Sequence, residues 1–136
     1  MNNFLQLGFL PRSYDAGLLI LRLCFGLLLF FNHGLSKLTH YSQMSTHMPD
    51  PLHVGTQLSL ILTLISEVLC ALLVVIGLAT RLAALYIVIE LAIAFTLVHH
   101  MKLSGPGSGE LALVYLVPFF VLVLAGAGRY SVDRNV

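Results

Sequence analysis

The chain has 136 residues, 58% of them hydrophobic and 10% charged, with a formal net charge of +1 and a mean hydropathy of +0.94. These values exclude an ordinary water-soluble domain, and a near-neutral charge without any basic cluster excludes a nucleic-acid partner. What they leave is an integral membrane protein whose first partner is the lipid bilayer.

In chain order, the opening MNNFLQLGFLPRSYDAG lacks a basic n-region, and Pro11 ends its short apolar run, so no cleavable signal peptide is expected. Phe4, Leu5, Leu7, Phe9 and Leu10 either lie along the membrane surface or form a frayed apolar end. Four apolar stretches follow, at about 17–37, 57–79, 82–101 and 111–127, each near the roughly 20 residues that a hydrocarbon core of about 30 Å requires. They predict an all-α fold: an integral membrane four-transmembrane-helix bundle with antiparallel neighbours, forming one domain over 1–136. Arg12, Arg81, Arg129 and Arg134 fall on the side of the termini and Lys37 and Lys102 on the other, which places both termini in the cytoplasm. Tyr14, Tyr130 and Tyr41 suit the two interfaces.

The link L-A-T-R at 78–81 is short enough to force the second and third spans into an antiparallel hairpin. Between the third and fourth spans, S-G-P-G-S-G at 104–109 reads as a turn, after which Glu110 opens the last helix. Pro118 inside that helix is expected to kink it.

Three ionisable residues lie well inside the spans: Arg22, Glu67 and Glu90. Each costs roughly 2.5–3.5 kcal/mol on insertion scales, so each should face the bundle interior and a partner. Counted from the predicted helix ends, all three fall within about 6 Å of one depth, which points to an ion pair between Arg22 and Glu67 or Glu90. The second carboxylate would then be free for proton relay or for a hydrogen bond to a lipophilic ligand, unless the layer only locks helix register. Ser59, Thr63, Ser66 and Cys70 form a polar stripe beside Glu67, a pattern that ordinarily serves interhelical hydrogen bonding.

A second polar layer gathers at the opposite end, where all six histidines fall together with Lys37, Lys102, Asp50 and Glu110. On an ideal helix Arg22, Gly26, Leu29 and His33 share one stripe that Lys37 roughly continues, so the two layers could share a cavity. Arg22, Glu67, Glu90, His33, Lys37, His99, His100 and Glu110 are therefore the candidates for ligand binding or proton relay. No tight ligand spacing such as H-x-x-x-H is present, so no metal site is assigned; the histidines are read as interfacial residues or as recognition groups for a polar small molecule, with copper, zinc or haem ligation by His33, His99 or His100 and Glu110 as a minor reading. Cys24 and Cys70 fall at similar depths and could approach one another if the first two spans pack, although cysteines in membrane spans are mostly packing residues.

The run R-L-C-F-G-L-L-L-F-F-N-H-G-L-S-K-L in the first span, G-L-A-T-R-L-A-A at 77–84 and G-A-G-R-Y-S-V-D at 126–133 resemble the DoxX family of small four-helix bacterial membrane proteins. The resemblance covers nearly the whole chain. It implies a multi-pass protein of the bacterial inner membrane, from a family named after a subunit of a quinone-linked oxidoreductase that acts on thiosulfate, with most members assigned only to oxidoreductases in general. Some similar proteins are described as membrane partners of thiol-handling and superoxide-detoxifying enzymes. In family terms Arg22, His33, Gly34, Lys37, Glu67, Arg81, Glu90, Gly128, Arg129 and Asp133 fall on its polar and glycine positions. By residue chemistry, Asp133 is expected to pair with Arg81 or Arg129 and clasp the end of the last helix.

Two readings of function follow. In the first, the chain is a membrane component of a redox system, an oxidoreductase or a subunit of one, that binds a quinone or another lipophilic ligand among its helices. In the second it is a non-enzymatic scaffold that docks a partner, consistent with the lack of a nucleophilic triad, phosphate loop or C-x-x-C. A protein subunit of a redox complex, or a second copy of the chain packed through Gly, Ala and Ser, is the expected partner.

Overall fold

The computed structural model describes residues 5, 7–9 and 11–135. Helix α1 spans Tyr14–Thr39 and the one-turn α2 spans Tyr41–Met44; α3, α4 and α5 cover Thr56–Ile76, Thr80–Val98 and Glu110–Ala125. The four long helices coincide with the four predicted spans to within a few residues, and no strand occurs among the described residues. At 16 residues α5 is short for a bilayer core, at about 24 Å.

Local chemistry explains the ends. Ser13 accepts the Ala16 N–H at 3.2 Å and opens α1, with Asp15 in its first turn favourable to the helix dipole. Gly77, at φ 74°, closes α3: its own N–H and that of Leu78 both return to the Leu73 carbonyl at 2.9 Å, satisfying groups that a helix end leaves open. Only Leu78 and Ala79 separate Gly77 from the start of α4, so the hairpin expected at 78–81 is tighter than its sequence suggested. Pro118 lies buried within a continuous α5, packed among the core residues Tyr115, Phe119 and Leu122.

Leu29, Leu60, Val74, Ile87, Phe119 and Leu122 fill the interior, with Ala71, Ala83 and Ala84 letting helices approach closely. Leu23, Leu28, Phe31, Leu82, Val117, Phe120 and Leu124 are exposed around the outside. In water such a belt would be an aggregation liability; against lipid it is the expected surface of a bundle. Leu5, Leu7 and Phe9 are exposed as well, while Phe4 and Leu10 lie outside the described residues.

Residues 14–22, 76–80 and 126–133 meet at one end of the bundle. There the Arg129 N–H donates to Asp15 Oδ1 at 2.9 Å, and the Asp133 N–H donates to the Gly77 carbonyl at 2.8 Å. Both ends of the helical region thus share one end of the bundle. Asp133 does not pair with Arg81 or Arg129 as expected; its carboxylate instead accepts the Ala79 and Thr80 N–H groups at 2.6 and 2.9 Å and caps α4. Arg81 donates to the Val123 carbonyl, and Arg129 reaches only Asp15, at 4.0 Å. The cap wins because Ala79, at φ 48°, aims two consecutive open N–H groups at one carboxylate. Cys24 and Cys70 do not meet either: Cys24 is exposed on the lipid side of α1, and Cys70 is buried in the core.

Candidate functional site

The first two long helices set the site. Gly26 and Gly34 of α1 press against α3, where a Cβ at Gly26 would strike Val75 and a Cβ at Gly34 would strike the Glu67 backbone. Small residues at these two positions draw the helix backbones together. One turn past Gly34, Lys37 reaches over this contact, and its Nζ lies 2.8 and 2.5 Å from Glu67 Oε1 and Oε2. Both side chains are largely shielded, at 16% and 6% exposure, so the pair is an intramembrane ion pair.

The same register removes Arg22 from this layer. With Gly34 level with Glu67 and Gly26 level with Val75, Arg22 stands beside Gly77, about 15 Å along α3 from Glu67 at 1.5 Å per residue. The expected pairing of Arg22 with Glu67 or Glu90 is therefore not formed. Its guanidinium is wholly buried at the end where the termini meet: Nη2 donates to the Tyr130 carbonyl at 2.5 Å, and the Asp133 charge acts on it. Depth estimates failed because α1 extends about two turns beyond the end of α3, an offset that hydropathy does not record. A Cβ at residue 77 would overlap Arg22 Nη1, so Gly77 serves both the turn and the arginine.

Lys37 and Glu67 form part of the wall of a cavity of about 580 Å³ at the end of the bundle away from the termini. Glu90 of α4 lines it too, close enough to feel the charges of Glu67 and Lys37. Ser66 is beside Glu90, yet Ser66 Oγ and Glu90 Oε2 are both buried without a hydrogen-bond partner in the described structure. His33 and His99 complete the polar set. His33 stands edge-on to Tyr115, with ring centroids 5.3 Å apart, and His99 Nδ1 is 3.0 Å from the Gly107 carbonyl. The remaining surface is mostly apolar: Leu29, Leu62, Ile93 and Ala112 from the helices, and Met44, Met48 and Leu52 from the segment between α1 and α3.

Five of the eight candidate residues thus share the cavity: His33, Lys37, Glu67, Glu90 and His99. Arg22, His100 and Glu110 do not; His100 is an exposed turn residue at φ 51°, and Glu110 is exposed at the start of α5. Among the described residues, no three His, Cys, Asp or Glu side chains converge as metal ligands would.

Three short π-helical segments, Phe30–Gly34, Ile65–Cys70 and Ala94–Val98, border the cavity and carry or adjoin His33, Glu67 and His99. A wider turn shifts the phase of every later residue, so the ideal-helix stripe from Arg22 to Lys37 divides: Arg22, Gly26, Leu29 and Gly34 are buried, while His33 and Lys37 turn into the cavity.

Sequence reasoning passed over Tyr86 and Tyr115. Tyr86 donates to the Leu62 carbonyl at 3.2 Å, just before the π-helical segment of α3, and Tyr115 packs edge-on against both His33 and Phe25. A tyrosine in mid-span needs a partner for its hydroxyl, and that was the available signal. Asp50, noted only as part of the outer layer, fixes the segment over the cavity: it accepts the Val54 and Gly55 N–H groups at 3.0 and 2.8 Å and the Ser59 hydroxyl at 2.8 Å. These bonds, the Ser59 hydroxyl first, hold its carboxyl below the usual range against the opposing effect of desolvation.

The DoxX family matches residues 17–100. A protein of Haemophilus influenzae, described as an uncharacterized protein, is 31% identical to this chain, over a region covering 79% of the chain and 81% of that protein. No solved structure matches.

Proposed function

The chain belongs to the DoxX family, and we propose that it serves as a membrane component of a redox system, binding a quinone-type ligand in the cavity between its helices. The observation that carries this reading is the cavity's rim. Ile89 and Leu111, exposed on the outer sides of α4 and α5, line the cavity together with exposed Pro49 and Leu52, which supports a mouth open toward the hydrocarbon layer. A ligand dissolved in the bilayer could enter without crossing water.

The cavity volume of about 580 Å³ lies in the range of small-molecule pockets, and its apolar walls with a few convergent polar groups suit a ring carrying a lipid tail. A bound quinone would supply two-electron chemistry coupled to protons. This chain's own contribution is to orient the ring between Tyr86, Tyr115 and His33, to exclude water, and to exchange protons at the Glu67 and Glu90 carboxylates. Electrons come from a partner subunit in this reading. The setting is the bacterial inner membrane, with both termini in the cytoplasm and the cavity in the outer half of the bilayer, as the arginine and lysine distribution supports.

The test is binding of decylubiquinone to the purified protein, with quinone reduction measured in native membranes. Saturable binding together with loss of reduction in the Glu67→Gln, Glu90→Gln double variant is expected. Absence of saturable binding, or unchanged reduction, would exclude the reading and leave a scaffold that docks a partner.

A further inference from the structure

Polar groups lead out of the cavity toward one end of the bundle. On α3, Thr63 and Ser59 follow Glu67 by one and two turns in the direction away from the termini, and both line the cavity. The Ser59 hydroxyl donates to Asp50 Oδ1 at 2.8 Å, and the same carboxylate holds the exposed backbone of Val54 and Gly55. On α1, Lys37 stands outward of His33 and keeps 16% of its side chain exposed while bonded to Glu67. His99, just beyond the outer end of α4, joins the cavity to the exposed turn at Gly107.

Toward the termini the bundle closes with apolar side chains. Leu29, Val74, Ile87 and Phe119, one from each long helix, are at most 1% exposed and belong to one packed core. They fill the section between the cavity and Arg22, which stands beside Gly77 and is engaged with the Tyr130 carbonyl. Tyr86, at the level of Ile87, turns its hydroxyl outward to the Leu62 carbonyl. A buried water needs roughly two to four polar partners, and these four side chains supply none, while a bare charge among them meets the full cost of desolvation.

Resting on the reading that Glu67 and Glu90 pass protons to and from a bound ligand, we propose that they exchange them with the compartment on the side away from the termini and not with the side where the termini meet. Reduction of a quinone takes up two electrons and two protons and forms the two O–H bonds of the hydroquinone. The electrons come from the partner subunit of that reading. The protons come past Thr63, Ser59, Lys37 and the histidines, and oxidation of the hydroquinone returns them the same way. His33, Lys37, His99, Tyr115 and the Tyr86 hydroxyl, the other titratable groups on the cavity wall, lie on the outer side of the apolar layer and share that access.

The test uses the full chain with Glu110→Gln, which removes the exposed glutamate that does not line the cavity, isotopically labelled at its remaining glutamate side-chain carboxyls. Glu110→Asp, unlabelled at that position, serves equally if the amide disturbs folding. Liposomes holding the chain in one orientation are selected by protease access to a C-terminal tag. The infrared band of the protonated label is followed while the pH is raised on one side only, and decylubiquinone binding is measured on the same liposomes. Loss of the band on raising the pH away from the termini, and no change on raising it at the termini, is expected. A band that follows the termini's side, both sides or neither would overturn the proposal, and saturable quinone binding in that case leaves the ligand site standing. Absence of saturable binding would remove the ligand site, and the proposal with it.

Discussion

Lys37 and Glu67 meet across the α1–α3 contact one turn beyond Gly34, the glycine that rests on the Glu67 backbone. Both side chains of the pair are largely shielded. Removing either partner strands the other charge in a low-dielectric wall, which ordinarily costs about 3–5 kcal/mol, whereas replacing both with apolar residues is often close to neutral. Lys37→Met and Glu67→Leu singly should therefore each lower the unfolding free energy of the detergent-solubilised protein by about that amount. The double variant should recover most of the loss. Equal, additive losses in denaturant titrations would show that the two residues do not act as a pair.

Gly34 and Gly17 give a matched comparison. A Cβ at Gly34 would overlap Glu67 backbone atoms, which cannot yield as a side chain can, while a Cβ at Gly17 meets nothing within 4 Å. Gly34→Ala should destabilise by about 1–3 kcal/mol through forced separation of α1 from α3. Gly17→Ala should be neutral or stabilise by up to about 1 kcal/mol, because alanine loses less backbone freedom in a helix. Thermal unfolding of both variants in one detergent checks the contrast.

At the other end, Asp133 gives a pH dependence with a definite sign. Burial works against its charge, but the Thr80 and Ala79 N–H groups and the Arg22 charge outweigh that effect and hold the carboxyl below its ordinary value. A group whose pKa falls on folding adds stability above the unfolded value and loses it as pH falls through the folded one. The Asp133 contribution should be complete above about pH 5 and fade below about pH 4. Asp133→Ala should cost about 0.5–2 kcal/mol near neutrality, the range for a lost helix cap, with the gap to the unaltered protein narrowing in acid. A gap that widens in acid would contradict this cap.

The two cysteines should react differently. Cys24 sits exposed on the lipid side of α1, and Cys70 is buried in the core. A membrane-permeant maleimide is expected to modify one thiol per chain in the folded protein and two after denaturation, with mass spectrometry placing the first on Cys24. Early modification of Cys70, or a disulfide in the isolated chain, would show different packing of α1 on α3.

What was legible in advance followed from local physics. The bilayer fixes how long an apolar run must be, so helix number and limits could be counted, and the short link at 78–81 admitted only an antiparallel hairpin. Glu67, Glu90, His33, Lys37 and His99 stood out because ionisable or polar residues in or at the edge of an apolar span call for a partner. The tyrosines and methionines of the cavity did not, since the same residues serve equally well as packing.

By itself, then, the sequence determined a four-helix membrane bundle and which of its residues are too polar to face lipid. How those residues pair follows from the packing of one helix on another. Relative helix depth is set where Gly26 and Gly34 let α1 settle on α3, and the π-helical turns then rotate Lys37 toward Glu67 while Arg22 stays with Gly77 and Tyr130. Hydropathy measures the length of each helix against the membrane. The sliding and turning of one helix against another depend on contacts between residues far apart in the chain, and no single helix carries that information.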